Sequence, residues 1–188
     1  MLKLISILII SSLVISTANA DNAIQQRAQK SKAVVKEFMG QLKGELETAM
    51  KAGGPLNAID VCHKTAPIIA RNLSGKYGWD IARVSLKNRN PSNTPDTWET
   101  KVLNDFETRK ANGEDVKPMA YFEVVNNNGK TSFRFMKAIP TGEVCLKCHG
   151  DKIAPEVKAK LQVLYPDDKA TNFKLGDIRG AFTITQPM

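Results

Sequence analysis

Histidine and cysteine are scarce in this 188-residue chain, which has two of the former and three of the latter. Beyond the first twenty residues no apolar run approaches the roughly 20 residues that a transmembrane helix needs, so we expect no span in the mature chain. The formal net charge is +8, but the basic residues are spread out without a long run. This pattern favours a solvated surface over nucleic-acid binding. There is no internal repeat or low-complexity segment.

The first twenty residues have the pattern of a secretory signal peptide. Lys3 supplies the positive charge, residues 4–15 are almost wholly apolar, and Ala18-Asn19-Ala20 is a small-residue cleavage site. An uncleaved N-terminal anchor is the alternative. We therefore expect removal of residues 1–20 and a periplasmic protein whose residues 21–188 form a single domain. Loss of one lysine and no acid lowers the formal charge from +8 to +7.

The segment Cys145-Leu146-Lys147-Cys148-His149 has the C-x-x-C-H spacing by which a c-type haem is attached. Both thiols would form thioethers with one covalent haem c, and His149 would be the proximal axial ligand of the iron. A zinc site is disfavoured because it normally needs a fourth ligand. A dithiol redox site is disfavoured because its C-x-x-C normally opens a helix in a thioredoxin-like βαβ unit, which the sequence does not indicate.

The second axial position has several candidates. They are Cys62, its neighbour His63 and the methionines Met39, Met50, Met119, Met136 and Met188. Adjacent side chains on a helix point about 100° apart, so Cys62 and His63 do not both face the iron unless the helix is broken. Cys62 falls on an apolar stripe with Ile59 and Ala66, which favours it as the buried group. As the odd cysteine of an exported protein, Cys62 is an inert buried thiol, an interchain bridge or a metal ligand.

The hydrophobic periodicity predicts helices first and then a small antiparallel sheet, an α+β fold. A long amphipathic helix is expected over residues 22–51, a second helix from Leu56 to about His63 interrupted by Pro67, and a third after Asp96. Strands are expected over 80–85, 119–125, 131–139 and 177–185, and a short helix over 155–165. The turn Asn126-Asn127-Asn128-Gly129 joins two of the strands as a hairpin.

Other residues have weaker claims on a haem. Cationic partners for its propionates would come from Arg83, Lys87, Arg89 and Arg179, each of which alone is better explained as a surface charge. Residues that would line the ring are Tyr121, Phe133, Phe135, Met136 and Phe182, although such residues on strands are more often plain core.

Several segments together resemble one family in the same order along nearly the whole mature chain. They are residues 58–62, 83–91, 95–99, 145–149 and 176–181. The chain is similar to the Tll-like family of c-type haem domains, long classed as of unknown function. The resemblance implies a PAS-like fold with flanking helices, a covalent haem, His149 as proximal ligand and Cys62 as distal ligand, with His63 as its alternative. Some relatives are input domains of membrane sensors.

This ligand set predicts a low-potential, one-electron c-type cytochrome acting with an unidentified redox partner. An iron-bound thiol is anionic, and adding an electron beside it in a low-dielectric pocket is disfavoured. The alternative is a haem-based redox or diatomic-gas sensor acting through a separate partner, in which Cys62 leaves on reduction and opens the site or yields it to His63. An enzyme is disfavoured because both axial positions are filled. The long first helix would allow a homodimer.

Overall fold

The computed structural model describes residues 13–127 and 129–188, with side chains from residue 21 onward. Most of the predicted signal peptide, residues 1–12, lies outside the described residues. The helices are α1 (Leu13–Asp60), α2 (Ala66–Tyr77), α3 (Thr97–Ala111), α4 (Glu143–His149) and α5 (Pro155–Leu164). The strands are β1 (Asp80–Val84), β2 (Ala120–Asn127), β3 (Lys130–Pro140) and β4 (Ile178–Pro187). Short π and 3₁₀ turns occupy Val61–Thr65 and Pro91–Asn93.

The four strands form one antiparallel sheet in the order β1-β4-β3-β2. The predicted hairpin joins β2 to β3, where Gly129 adopts a φ of 81° and its N–H donates to Asn126 Oδ1 at 3.1 Å. This positive φ is one that glycine adopts without steric cost. The α+β class and the long N-terminal helix are therefore confirmed.

Helix α1 changes its surroundings along its length. Its first half is buried against the sheet through residues such as Val34, Val35 and Phe38. Leu42, Leu46 and Met50, further along the same apolar stripe, are only half-buried. Amphipathic helices normally bury this stripe against other protein, so the second half of α1 faces a space that the chain does not fill.

Gly53 and Gly54 interrupt α1 at the predicted place. Their backbone angles are non-helical, with φ of 67° at Gly54, and Pro55 opens the next helical stretch. Proline suits a first helical turn because its missing N–H would be unpaired there anyway. The prediction that a first helix ends at this pair and a second begins is confirmed.

Pro67 does not interrupt the chain as expected. A single π turn over Val61–Thr65 runs into α2, where Pro67 occupies the first turn. A π turn inserts one extra residue, which moves the carbonyl that proline would otherwise clash with and removes the need for its N–H. The helix therefore continues past Pro67 to Tyr77, and the irregularity falls on Cys62 and His63.

The aromatic residues suggested as ring-lining belong to the core instead. Phe133, Phe135 and Met136 are 0% exposed. Phe133 and Phe135 pack with Phe38 and Phe182 on one face of the sheet, and Met136 packs on the other face below α3, next to Tyr121. Alternation along β3 produces this division, since successive side chains point to opposite faces.

Helix α3 is fixed at its start by a capping box. Asp96 accepts from the Glu99 backbone N–H, and Glu99 accepts from the Asp96 N–H.

No helix in the described part of the chain is both long enough and apolar enough to cross a membrane.

Candidate functional site

One cavity brings together residues from distant parts of the sequence. It has a volume of about 210 Å³ and lies between the second half of α1, the end of β1, α4 and the start of β4 at Arg179 and Gly180. Cys62, Cys145, Cys148 and His149 all line it. Its apolar walls include Leu42, Leu46, Met50, Ile59, Ile139, Val144 and Leu161.

The C-x-x-C-H segment forms the short helix α4 directly after β3. Cys145 and Cys148 are three residues apart and so lie on the same side of this helix. Gly150 ends it, donating its N–H to Leu146 O at 2.9 Å. A Cβ on residue 150 would approach Leu146 O to 2.7 Å, so the tight exit after His149 requires glycine.

The two ring nitrogens of His149 have different partners. Nδ1 lies 2.8 Å from the carbonyl oxygen of Ala170, and therefore carries the proton in this contact. Nε2 carries no proton, and its lone pair accepts from Arg179 Nε at 3.4 Å. Burial, followed by the charges of Arg179 and Arg89, holds the pKa of His149 well below its usual range. The imidazole is thus neutral at pH 7, which is the form that binds a metal.

Cys62 and His63 diverge at the π turn. Cys62 lines the cavity, whereas His63 is not among the cavity-lining residues. The His63 ring packs edge-on against Tyr165, 5.2 Å between centroids, and its Nδ1 is buried without a hydrogen-bond partner among the described residues. π turns occur frequently at functional sites. Here the turn presents the thiol, rather than the imidazole, to the cavity.

Among the methionines, only Met50 lines this cavity within the described residues. Met119 and Met136 are buried in the core, and Met39 and Met188 are 47% and 55% exposed at the surface. Of the candidates for the second axial position, Cys62 and Met50 therefore line the same cavity as His149, and His63 does not.

Three arginines line the cavity, and two of them have no carboxylate partner in the described part of the chain. Arg89 pairs with Asp168 at 2.9 Å, whereas Arg83 and Arg179 face the cavity unneutralised. Burial is the main cause that lowers the pKa of Arg179 to about 10, followed by repulsion from Arg89 and Arg83. Burial likewise lowers the pKa of Arg83, and negative charge on Cys62 would oppose that shift. The site is therefore prepared for an anion.

Of the four predicted cationic residues, Arg83 and Arg179 remain available to an anionic ligand. Arg89 is committed to Asp168, and Lys87 does not line the cavity. Lys87 Nζ instead donates to Thr171 O and lies 4.5 Å from the centre of the Phe173 ring.

Neither a dithiol nor a zinc site matches this geometry. Burial raises the pKa of Cys148, the opposite of what a reactive thiol in a redox pair needs. The motif does open a helix after a strand, but the sheet is antiparallel throughout. In residues 21–127 and 129–188, no three His, Cys, Asp or Glu side chains converge on a point where one ion would sit, whereas structural zinc needs four ligands.

Sequence reasoning missed Tyr165, Asp168 and Ala170, which complete the site. Tyr165 lines the cavity, and burial followed by the charge of Cys62 raises its pKa to about 12. Asp168 and Ala170 lie in residues 165–177, which contain neither helix nor strand. The sequence offers no periodicity there, and the contacts span 79 residues or involve backbone atoms.

Comparison with known proteins agrees with this fold. A family model described as Tll0287-like matches residues 14–187. A solved structure, that of the cyanobacterial heme-protein Tll0287, matches with a TM-score of 0.67 and 23% identity, covering 87% of this chain and 96% of that one. At this identity the structural likeness shows the fold. No curated protein matches. Because the family model spans almost the whole length, this chain belongs to the Tll0287-like family.

Proposed function

We propose that this protein is an exported c-type haem protein that carries one electron at low potential. Cys145 and Cys148 would hold one haem covalently, with His149 as the proximal and Cys62 as the distal axial ligand. The observation that carries the proposal is the placement of Cys62, which lines the same cavity as the C-x-x-C-H segment although 83 residues separate it from Cys145. The related solved structure is that of a haem protein, which supports haem as the cofactor bound in this cavity.

The cavity suits a haem in both polarity and charge. Its apolar walls match the porphyrin face, and the unprotonated Nε2 of His149 would bind iron once Arg179, which donates to it at 3.4 Å, turns to a propionate. Arg83 and Arg179 would bind the propionates by charge-assisted hydrogen bonds. The half-buried apolar residues of α1, Leu42 and Leu46, would then be covered.

When bound, the haem supplies a one-electron ferric–ferrous couple. The chain would set its potential chiefly through Cys62, because a thiolate stabilises the more positive ferric iron. The apolar walls exclude water and so strengthen that effect. With both axial positions filled by side chains, no iron position is open to substrate, which argues against an enzyme.

The covalent attachment is tested by expressing the full chain with and without a c-type maturation system. We expect an intact mass equal to residues 21–188 plus one haem, and an alkaline pyridine haemochrome with the spectrum of two thioethers. Cys145→Ser and Cys148→Ser should each give the spectrum of a single thioether. Loss of all colour on acid–acetone extraction of the wild type would overturn covalent attachment. The same mass spectrum reports whether cleavage follows Ala20, and separation of periplasm from cytoplasm reports the location.

A second candidate function is a redox or diatomic-gas sensor working through a separate partner. It is favoured by the π turn at Cys62 and by the buried, unpartnered Nδ1 of the neighbouring His63. Such a turn has an alternative α-helical register in which side-chain directions shift. If Cys62 leaves on reduction, the ferrous protein will bind carbon monoxide. A six-coordinate ferrous spectrum that carbon monoxide leaves unchanged would contradict sensing by this route and favour plain electron transfer.

Size-exclusion chromatography with light scattering tests the expected homodimer through the N-terminal helix. A monomer at micromolar concentration would exclude it.

A further inference from the structure

We propose that the buried Arg89–Asp168 ion pair is a positioning device for His149, acting through the carbonyl group of Ala170. This inference rests on the proposed function, in which His149 binds iron. The pair touches neither the cavity-facing nitrogen of His149 nor either motif thiol, and the proposal concerns how it orients the imidazole.

Arg89 and Asp168 form one of the most enclosed ion pairs of the described chain. Their side chains are 7% and 12% exposed, and Arg89 Nε donates to Asp168 Oδ2 at 2.9 Å. The guanidinium Nη2 also donates to two backbone oxygens, Cys148 O at 2.6 Å and Ala170 O at 3.1 Å. One arginine therefore connects the haem-binding helix α4 to the irregular segment that follows α5.

Asp168 fixes the backbone N–H of the same residue, Ala170. Its Oδ1 accepts from the Ala170 N–H at 2.8 Å. Both the N–H and the C=O of residue 170 are thus held by the ion pair, in a segment without regular structure. Neighbouring backbone bonds, such as Phe173 N–H to His149 O at 2.9 Å, anchor the segment but do not set the direction of the residue 170 carbonyl.

That carbonyl oxygen accepts the proton of His149 Nδ1 at 2.8 Å. A histidine that binds a metal commonly donates its other N–H to such an acceptor, which fixes the tautomer and ring direction and makes the ligand nitrogen more basic. Because Arg89 Nη2 donates to the same oxygen at 3.1 Å, the guanidinium holds the acceptor of this hydrogen bond in place directly. Loss of either partner should free the carbonyl and allow the imidazole to rotate or change tautomer.

The first test uses two mild variants, Arg89→Lys and Asp168→Asn, in the full-length holoprotein. Lysine keeps the positive charge but lacks the planar guanidinium that reaches the Asp168 carboxylate and the two backbone oxygens together. Disturbing such partners costs about 10- to 100-fold in metal affinity. If a tenfold loss falls on the ferric state alone, the midpoint potential rises by about 59 mV. We also expect altered ferric electron paramagnetic resonance g-values in both variants.

The matched control is Glu99→Gln, in another buried ion pair remote from the cavity. Glu99 Oε1 accepts from Arg134 Nη2 at 3.1 Å and from Thr183 Oγ1 at 2.7 Å. This variant should lower stability to a similar degree and leave the potential and g-values unchanged. Equal shifts in all three variants, or no shift in Arg89→Lys and Asp168→Asn, would overturn the proposal. So would a failure of both Arg89→Lys and Asp168→Asn to fold while Glu99→Gln folds, since the ion pair would then be structural only.

The second test does not depend on haem. The full-length chain, expressed without haem attachment and labelled with ¹⁵N-histidine, has two histidine signals to resolve, and His63→Gln assigns them. We expect the Nδ1–H tautomer of His149 to prevail in the wild type, and its ratio to the Nε2–H form to fall about tenfold in Arg89→Lys and Asp168→Asn. An unchanged ratio would contradict positioning even if the haem assignment is right. A changed ratio in a chain that never binds haem would support positioning while the proposed function fails.

Discussion

Replacing Arg179 with methionine should destabilise the haem-bound chain and leave the stability of the haem-free chain nearly unchanged. In the haem-free chain the arginine is a buried cation without a carboxylate partner, next to Arg83 and Arg89. Its pKa falls from 12.5 to about 10, which corresponds to roughly 3 kcal/mol between its two protonation states. Arg179→Met relieves this cost and keeps an apolar side chain over Phe173, where the guanidinium now lies 5.3 Å from the ring centre.

The substitution also removes favourable contacts of similar size. Arg179 Nη1 donates to Ser85 Oγ at 3.2 Å and to Lys87 O at 3.3 Å, each contributing about 1 kcal/mol. Arg179 Nε also donates to His149 Nε2 at 3.4 Å, a longer bond that contributes about 0.5 kcal/mol. The contact with Phe173 adds roughly 0.5–1 kcal/mol. The free energy of unfolding of the haem-free chain should therefore change by less than about 1 kcal/mol. In the holoprotein a propionate hydrogen bond of about 1.5–3 kcal/mol is lost as well.

Urea unfolding followed by far-ultraviolet circular dichroism measures both forms. We expect Arg179→Met to lower the free energy of unfolding of the holoprotein by about 2 kcal/mol more than that of the haem-free chain. The control is Arg134→Met, which breaks a buried pair with Glu99 and Asp96 and should cost about 3–5 kcal/mol in both forms. Equal losses for Arg179→Met in the two forms would refute its role in binding an anionic group of the haem.

Two further predictions concern the walls of the cavity and its histidine. Gly180→Ala should lower the free energy of unfolding by about 1–3 kcal/mol. The reason is that Gly180 has a φ of 154°, and a Cβ there would collide with Val84 O and lie 3.0 Å from Ser85 Cβ. Thermal unfolding measures the loss, and a wild-type melting temperature would contradict this prediction. In the haem-free chain, burial holds the pKa of His149 below the 6.5 of the unfolded state, so the unfolded chain binds more protons as the pH falls below about 6.5. Stability should therefore be constant above that pH and decrease from pH 6.5 toward 5, as followed by urea midpoints. His149→Gln should remove this slope, and a slope that persists in the variant would assign it to another group.

Local patterns identified most of the helices and strands, because most of them have a strong local signal. The apolar spacing from Ile24 to Leu46 and the Asn-Gly turn after Asn127 identified α1 and the β2–β3 hairpin without tertiary information. Pro67 misled because its cost depends on the register of the preceding turn, and one extra residue in a π turn removes that cost. Sequence alone does not report such a register.

The site, too, has a part that local sequence spacing predicts and a part that only tertiary packing creates. The spacing of Cys145, Cys148 and His149 is local and was visible at once. That Cys62 reaches the same cavity follows from tertiary packing, and the sequence could only make it a candidate among several sulfur and imidazole groups. The Asp168–Arg89 pair and the Ala170 carbonyl left no sequence signal, because a backbone oxygen has no residue identity and the pair spans 79 residues.

Leu42 and Leu46 are less buried than their place on the apolar stripe of α1 predicts. Their period predicts burial, yet the chain leaves them half-buried at the cavity. An apolar stripe that protein does not cover indicates a missing apolar partner, and a porphyrin face would supply it.

Low-temperature electron paramagnetic resonance of the ferric holoprotein, compared among wild type, Cys62→Ala and His63→Ala, tests the central claim most directly. The ligand assignment predicts a low-spin thiolate spectrum in the wild type and in His63→Ala, and its replacement by a high-spin or different low-spin signal in Cys62→Ala. A thiolate spectrum that survives Cys62→Ala, or one that disappears in His63→Ala alone, would contradict it.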